Sequence, residues 1–257
     1  MRLAVVIPVY NEKPTLPKLL ERLTATPPPT NAAGNSATGR PVERFIVLVD
    51  DASTDGTTDL VRSLADGDQI RAVYHERNQG KGAALRSGFH AAINGPDAAD
   101  LVIVQDGDLE YDPADHAAVL APLLDGRADA VIGTRFAGET HRVLYYWHSI
   151  ANRAITALSN MLTNLNLTDV ECCFKAFRAD VLRQIRIEED RFGVEPELVA
   201  KLAKIRVPVD DEDSERRLRI YEVPVSYAGR TYAEGKKITW RDGFAALRCI
   251  AKYNLQR

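Results

Sequence analysis

Cysteine is scarce in this chain, with three residues in 257, and the spacing suits no disulfide framework: Cys172 and Cys173 are adjacent and Cys249 is distant. This excludes a cystine-stapled scaffold and a CxxC metal site, and it fits reduced packing thiols in a reducing compartment. Long apolar runs are missing as well. No stretch approaches the roughly 18 uninterrupted apolar residues of a membrane span. The apolar opening, Met1 to Val9, has no small-residue cleavage site and reads as a first strand, not a signal peptide. Charge of one sign is not in excess: Lys+Arg 33 against Asp+Glu 36 leaves a net charge of −3. That argues against a strongly basic nucleic-acid binder, so no nucleic-acid partner is expected. No internal repeat is visible.

The composition that remains is that of an ordinary globular protein, 45% hydrophobic and 27% charged. At roughly 150 residues per domain the length falls between one domain and two, enough to bury a substantial core. Leu3 to Val9 is a β-branched run, the mark of a strand buried on both faces. A helix follows with Leu16, Leu19, Leu20 and Leu23 on one face. Thr26 to Pro41, rich in Pro, Ala, Asn, Gly, Ser and Thr, reads as a flexible surface loop. Strands at Phe45 to Val49, Ile70 to His75 and Leu101 to Gln105 alternate with helices at Thr57 to Leu64 and Gly82 to Ile93. Such alternation predicts an α/β fold, a parallel sheet with helices on both faces and ligands at the carboxyl ends of its strands. In the second half, Ala130 to Gly133, Cys172 to Phe177 and Arg219 to Tyr227 read as strands and Pro196 to Ile205 as a helix. Leu144 to Leu165 reads as a long amphipathic segment with Trp147, Ile155, Met161 and Leu162 in its apolar stripe. Asp210 to Glu215 is an acidic run that reads as a solvated loop, since it lacks the Gly and terminal Glu of a calcium loop.

Three strands run into polar turns on that edge: Tyr10-Asn11-Glu12, Asp50-Asp51-Ala52-Ser53 and Asp106-Gly107-Asp108. Two carboxylates two residues apart can face one cleft, where a hard divalent cation relieves their repulsion; Glu110 would be a third ligand. An acidic turn with a helix cap near Pro113 accounts for the same residues. In Asp50-Asp51-Ala52-Ser53-Thr54-Asp55-Gly56 one acid can accept from a nucleobase N–H, while capping accounts for Ser53, Thr54 and Asp55. Gly80-Lys81-Gly82 offers backbone N–H groups and one cation to an anion, or simply opens a helix; it is not a P-loop. Arg135, Arg230, Lys236 and Lys237 are cations able to hold phosphate oxygens, or ordinary surface charges. Asp169 and Glu171 are candidate general bases or caps of the next strand.

Taken in order, Pro8-Val9-Tyr10-Asn11-Glu12, Asp50 to Thr57, Asn78-Gln79-Gly80-Lys81-Gly82 and Asp106-Gly107-Asp108-Leu109-Glu110 resemble glycosyltransferase family 2. Within it the chain resembles the dolichyl-phosphate mannose synthase branch and its bacterial polyprenyl-phosphate relatives. The resemblance covers about Met1 to Lys237. It implies a GT-A fold, a mostly parallel central sheet with residues 1–112 as nucleotide-binding half, 113–237 as acceptor half and 238–257 as a C-terminal amphipathic helix. It implies a nucleoside pocket of Pro8, Tyr10, Glu12, Val49 and Asp51, with Asn11, Asp50, Gly80, Lys81 and Gly107 in the same nucleotide-sugar site. It further implies Mg²⁺ or Mn²⁺ on Asp106, Asp108 and Glu110, and phosphates gripped by Arg135, Arg230 and Lys236, with Arg230 to Lys236 as a closing loop. Asp108, Asp169 and Glu171 are then the expected catalytic acids. Glu110 stands where the mannose synthases usually carry Gln, and the Cys172-Cys173 pair fits the bacterial relatives better.

The activity so implied is inverting, metal-dependent transfer of a hexose from a nucleotide-sugar (GDP-mannose or UDP-glucose type) to a polyprenyl or dolichyl phosphate. A hydroxyl acceptor needs a base, with Asp169 before Glu171; a lipid phosphate is already ionised. The alternatives are a soluble transferase acting on a saccharide or small hydroxyl acceptor, and a nucleotide-sugar-binding protein without turnover. The expected location is cytoplasmic, with peripheral contact at the membrane face. Trp240 to Leu255, with Phe244, Leu247 and Ile250 beside Arg241, Arg248 and Lys252, either lies on that surface or packs against the sheet or a second subunit of a homodimer.

Overall fold

Eleven strands and eight α-helices follow one another along the residues described in this computed structural model, namely 1–31, 40–138, 142, 145–208, 214–230 and 240–255. The order is β1 (Arg2–Val9), α1 (Leu16–Ala25), β2 (Thr30–Asn31), β3 (Arg40–Pro41), β4 (Glu43–Asp50), α2 (Thr57–Leu64), β5 (Ile70–Tyr74), α3 (Lys81–Ile93) and β6 (Leu101–Val104). It continues with α4 (His116–Leu124), β7 (Ala130–Thr134), α5 (Tyr146–Thr163), β8 (Lys175–Arg178), α6 (Ala179–Leu182), α7 (Val194–Lys204), β9 (Arg206–Pro208), β10 (Glu215–Arg217), β11 (Ile220–Pro224) and α8 (Trp240–Leu255).

Seven strands form the central sheet in the order β11-β7-β8-β6-β1-β4-β5. β1 pairs in parallel with both β4 and β6, so its β-branched run is covered on each side and each face. The alternation of side chains along a strand then divides the core. Ala4, Val6, Val47 and Val49 share one cluster with residues of α3, α7 and α8, while Leu3, Val5, Ile7 and Leu48 share the other with residues of α1, α2 and α4. Gly88 brings α3 down onto β1, since a Cβ there would lie 2.4 Å from Val6 Cγ1. The chain runs from β1 out to β5 and then returns to β6 on the other side of β1. The crevice therefore opens between the ends of β1 and β6, where the winding reverses.

Three features depart from the sequence reading. β8 begins at Lys175 rather than Cys172, and it runs antiparallel to both neighbours, β6 and β7. Val170 to Phe174 instead forms the turn before it, and the buried Lys175 ammonium donates to the carbonyls of Val170 and Cys172. α5 turns Trp147, Met161 and Leu162 outward and buries Asn152, Ile155, Thr156, Ser159 and Thr163. That face is polar because it must satisfy the 169–170 backbone and Asp169: Val170 N–H donates to Thr156 Oγ1 at 3.2 Å. α4 lacks a helical period because apolar residues lie on most of its sides. Residues 32–39 of the 26–41 loop, Leu144 and 210–213 of the acidic run lie outside the described residues.

α8 packs one face into the protein and leaves another exposed. Ala246, Cys249, Ile250 and Tyr253 are buried, whereas Phe244, Leu247 and Leu255 are exposed. Cys172, Cys173 and Cys249 are free thiols, as the spacing suggested. Among the described residues no helix is long and apolar enough to cross a membrane.

Candidate active site

The polar turns of the first half are stitched together before they face any ligand. Asn11, held at φ 54°, accepts from Thr54 N–H at 2.8 Å and donates its own N–H to Ser53 Oγ at 2.9 Å. Asp50 accepts from Ser53 N–H (3.3 Å) and Thr58 Oγ1 (2.7 Å). Asp51 accepts from Gln79 N–H (2.9 Å), Gly80 N–H (2.7 Å) and His75 Nδ1 (2.7 Å), which fastens the 78–80 turn to the end of β4. A cleft of about 1410 Å³ opens beside these turns.

The cleft brings together most of the residues that the motifs singled out: Pro8, Tyr10, Glu12, Asp51, Gly80, Lys81, Asp106, Gly107, Asp108, Glu110, Arg135, Glu171 and Arg230. Four others are placed behind it. Asn11 and Asp50 brace the turns, and Val49 lies fully buried against Gly88 under α3, because its place in the strand points it into the core. Asp169 is buried behind Arg135. Lys236 and the rest of the 231–239 segment lie outside the described residues.

The acids after β6 are crowded. Lys81 Nζ lies 2.9 Å from each carboxylate oxygen of Asp106, with hydrogen-bond geometry to Oδ2 alone, so the buried Oδ1 has no hydrogen bond. Burial, then the charges on Asp106 and Glu110, push Asp108 up to about 7, against the pull of Arg230. Tyr111 bridges to Tyr227, and Ala228 N–H donates to Glu110 O, which carries the 227–230 segment over the acids. Arg230 then contacts Asp108 Oδ2 (3.0 Å), Glu110 Oε1 (3.1 Å) and Glu12 Oε1 (3.6 Å), while Tyr227 OH donates to Glu110 Oε2 (2.9 Å).

Arg135 is held by Asp169 through two parallel side-chain hydrogen bonds, Nε to Oδ2 at 2.6 Å and Nη2 to Oδ1 at 2.8 Å, and Asn152 Nδ2 also donates to Asp169 Oδ1, at 3.2 Å. Burial would raise the Asp169 pKa, but Arg135 holds it below the usual carboxylate range. Asp169, expected at the cleft as a base, instead lies buried behind Arg135 as its counterion. Lys81 departs likewise from a free phosphate-binding cation. It is enclosed by Asp106, Glu195 (3.0 Å) and Cys173 Sγ (2.9 Å). Glu171 does face the cleft, and burial, then Glu195, pushes it up to about 8.

The glycines of the 80–82 turn answer to packing. A Cβ at Gly82 would lie 2.0 Å from the Glu189 carbonyl oxygen, a backbone atom. Gly82→Ala is expected to destabilise the fold by about 1–3 kcal/mol despite alanine's better helix propensity. Urea unfolding of the variant measures it.

Sequence reasoning missed Glu195, Tyr227, Gln105 and His116. Glu195 reads as an ordinary first-turn acid of α7, and the others carry no motif. Gln105 donates to the carbonyls of Asp106 (3.2 Å) and Tyr111 (3.3 Å), which sets its amide so that Oε1 accepts from His116 Nε2 at 2.9 Å. His116 is thus neutral and braces the acidic turn. Burial, then the Arg44 charge, lowers its pKa from 6.5 to about 3. The unfolded chain therefore takes up this proton near pH 6.5 and the folded chain near pH 3. The stability contributed is whole above pH 6.5 and falls through that window. Between pH 6.5 and 4.5 the expected loss is about 2.3 kcal/mol. His116→Gln should flatten that part of the unfolding profile.

Among the described residues, no three His, Cys, Asp or Glu side chains converge as a metal cage. The expected three-carboxylate set is narrowed accordingly: Glu110 is engaged by Arg230 and Tyr227. Mg²⁺ and Mn²⁺ need only one or two carboxylates where phosphate oxygens and water supply the rest. Asp106, whose buried Oδ1 has no hydrogen bond among the described residues, and Asp108, crowded by Asp106 and Glu110, fit that smaller requirement.

Residues 4–186 match the family model described as Glycosyl transferase family 2. The chain belongs to glycosyl transferase family 2. An undecaprenyl-phosphate 4-deoxy-4-formamido-L-arabinose transferase of Aeromonas hydrophila is 28% identical to this family 2 chain over 236 residues, 91% of the chain and 62% of that protein. The chain thus spans about three fifths of the length of such relatives. An undecaprenyl-phosphate mannosyltransferase of Micrococcus luteus is 28% identical over 247 residues, 92% of the chain and 87% of that protein. A solved structure of glucosyl-3-phosphoglycerate synthase from Mycobacterium tuberculosis, in complex with Mn²⁺, uridine diphosphate and glucosyl-3-phosphoglycerate, superposes with a TM-score of 0.68 at 18% identity. It covers 100% of this chain and 81% of that one. The fold is the GT-A fold of this family, as the ordered motifs implied.

Proposed function

We propose that this family 2 chain transfers a hexose, with inversion, from a nucleoside-diphosphate sugar to a polyprenyl phosphate. The observation that carries the reading is the composition of the cleft: an Asp106/Asp108/Arg230 wall and an aromatic mouth within one cavity. At that mouth Trp147 is 75%, Tyr146 67% and Phe244 66% exposed. A saccharide acceptor would not need so much exposed apolar surface, whereas a prenyl chain would cover it. Two of the proteins named above are undecaprenyl-phosphate sugar transferases, which supports the same class.

Mg²⁺ or Mn²⁺ held by Asp106 and Asp108 would supply charge stabilisation to the departing diphosphate. Arg230, already over these acids, would pair with a diphosphate oxygen, and Asp169 keeps Arg135 rigid so that its remaining N–H groups face the cleft. The acceptor phosphate oxygen forms the new bond to the anomeric carbon. The bond from that carbon to the diphosphate oxygen breaks, and its electron pair leaves with the nucleoside diphosphate. An ionised phosphate needs no base, which agrees with the sequestration of Asp169.

The test is twofold. Thermal-shift titration with UDP-, GDP- and dTDP-sugars should raise the midpoint for one base with Mn²⁺ and not with EDTA. Undecaprenyl phosphate in detergent should then take up labelled sugar into the organic phase. Absence of any nucleotide shift overturns donor binding; transfer confined to soluble hydroxyl acceptors overturns the lipid acceptor.

A further inference from the structure

Two acids on the cleft wall are used by nothing in the transfer just described. Glu195, in the first turn of α7, is 4% exposed; its Oε1 pairs with Lys81 while its Oε2 is buried with no hydrogen bond. Glu171, in the turn before β8, has a buried Oε1 in the same condition. Both side chains line the cleft. Buried carboxyl oxygens are normally hydrogen-bonded, and two with no partner among the described residues, on one wall of one cavity, are open to a donor from a bound ligand.

The chemistry of that donor is restricted. Two neighbouring carboxyls repel a phosphate, so neither the diphosphate nor the acceptor headgroup belongs against them. A nucleobase belongs by the stitched turns at residues 10–13 and 50–57, on other elements. Neutral polyol hydroxyls suit the wall: each O–H donates to a carboxylate oxygen, and each hydroxyl oxygen accepts from a protonated carboxyl. Lys81 and Lys175 do not compete, because both ammonium groups are already enclosed.

We propose that Glu171 and Glu195 form the subsite that grips hydroxyl groups of the transferred sugar, and so set the preference for that sugar. The inference rests on the nucleotide-sugar reading above. It makes Glu171 a binding group and not the base of the reaction.

Isothermal titration of the full chain with Mn²⁺ tests it, using UDP against UDP-glucose and GDP against GDP-mannose. Glu171→Ala and Glu195→Ala should leave the nucleoside diphosphate affinity within about twofold and weaken the matching nucleotide-sugar about tenfold or more. Glu171→Gln, which keeps a donor and an acceptor, should restore most of that loss. If an alanine variant fails to fold, Glu171→Gln and Glu195→Gln read the same ratio, with a smaller split in the same direction. Equal weakening of nucleotide and nucleotide-sugar, or no weakening of either, overturns the subsite. Unchanged sugar affinity with a collapsed kcat overturns it too, and assigns Glu171 as a base. If wild type binds no nucleotide at all, the transferase reading falls first, and that outcome is distinct from all the others.

Discussion

Asp106→Asn and Asp108→Asn should each lower sugar transfer by about 10²–10³-fold while leaving the chain at least as stably folded in the Asp108 case. The activity loss follows from where charge appears. On the proposed reading the departing diphosphate would gain negative charge, and Asp106 and Asp108 would hold the divalent cation that stabilises it; removing one element of such a site typically costs that factor. The stability half follows from the crowding: Asp108 is buried beside Asp106 and Glu110, and its pKa stands at about 7. A neutral amide of the same shape removes that repulsion, so function and stability pull against each other here. Asp106 differs because it is the main partner of Lys81, and its amide leaves that buried ammonium with Glu195 alone among the acids. Asp106→Asn is therefore expected to lower the thermal midpoint as well as the rate. Glu110→Gln is the control. Since Glu110 anchors Arg230 and Tyr227, it should reduce transfer less and leave the metal requirement in place. Turnover against Mn²⁺ concentration, with thermal unfolding of the same samples, tests all three.

Asp169→Ala should destabilise the fold by about 3–5 kcal/mol, the range for removing one partner of a buried ion pair. Arg135 would stay buried with its guanidinium answered by the neutral Asn152 amide at 3.4 Å and by no opposite charge at hydrogen-bond range among the described residues. For a chain of this size each kcal/mol moves the midpoint by about 2–4 °C, so a drop on the order of 10 °C is expected. A general base would behave differently, since its removal abolishes turnover and leaves the midpoint unchanged. The double variant Arg135→Ala/Asp169→Ala should be less destabilised than the sum of the single variants, because removing both charges leaves none uncompensated. Calorimetry of the three variants separates a positioning residue from a base before any substrate is identified.

Much of the fold was legible because each signal was local. Continuous β-branched runs mark β1, β4 and β6, and leucines at helical spacing mark α1. The polar turns after β1, β4 and β6 were legible for the same reason, and most of the motif residues named from sequence line one cleft. Residues whose roles depend on a distant partner were not legible. The antiparallel course of β8 leaves no trace in periodicity, since a strand reads alike in either direction. The buried polar face of α5 looked like a weak part of an apolar stripe, because its partner, Asp169, is 17 residues from Asn152. His116 and Gln105 meet across 11 residues and Glu110 and Arg230 across 120, with no shared motif.

By itself the sequence determined the family, the alternating α/β architecture and the edge of the sheet where chemistry gathers, because strand burial and turn chemistry are properties of neighbours along the chain. Only the tertiary structure decided which charges are spent on each other. It assigned Asp169 to Arg135 and Lys81 to Asp106 and Glu195, and it left buried oxygens of Asp106, Glu171 and Glu195 without a hydrogen bond among the described residues. A carboxylate's role is set by what lies within about 4 Å of it and by how much water remains, and neither is a property of its neighbours in sequence.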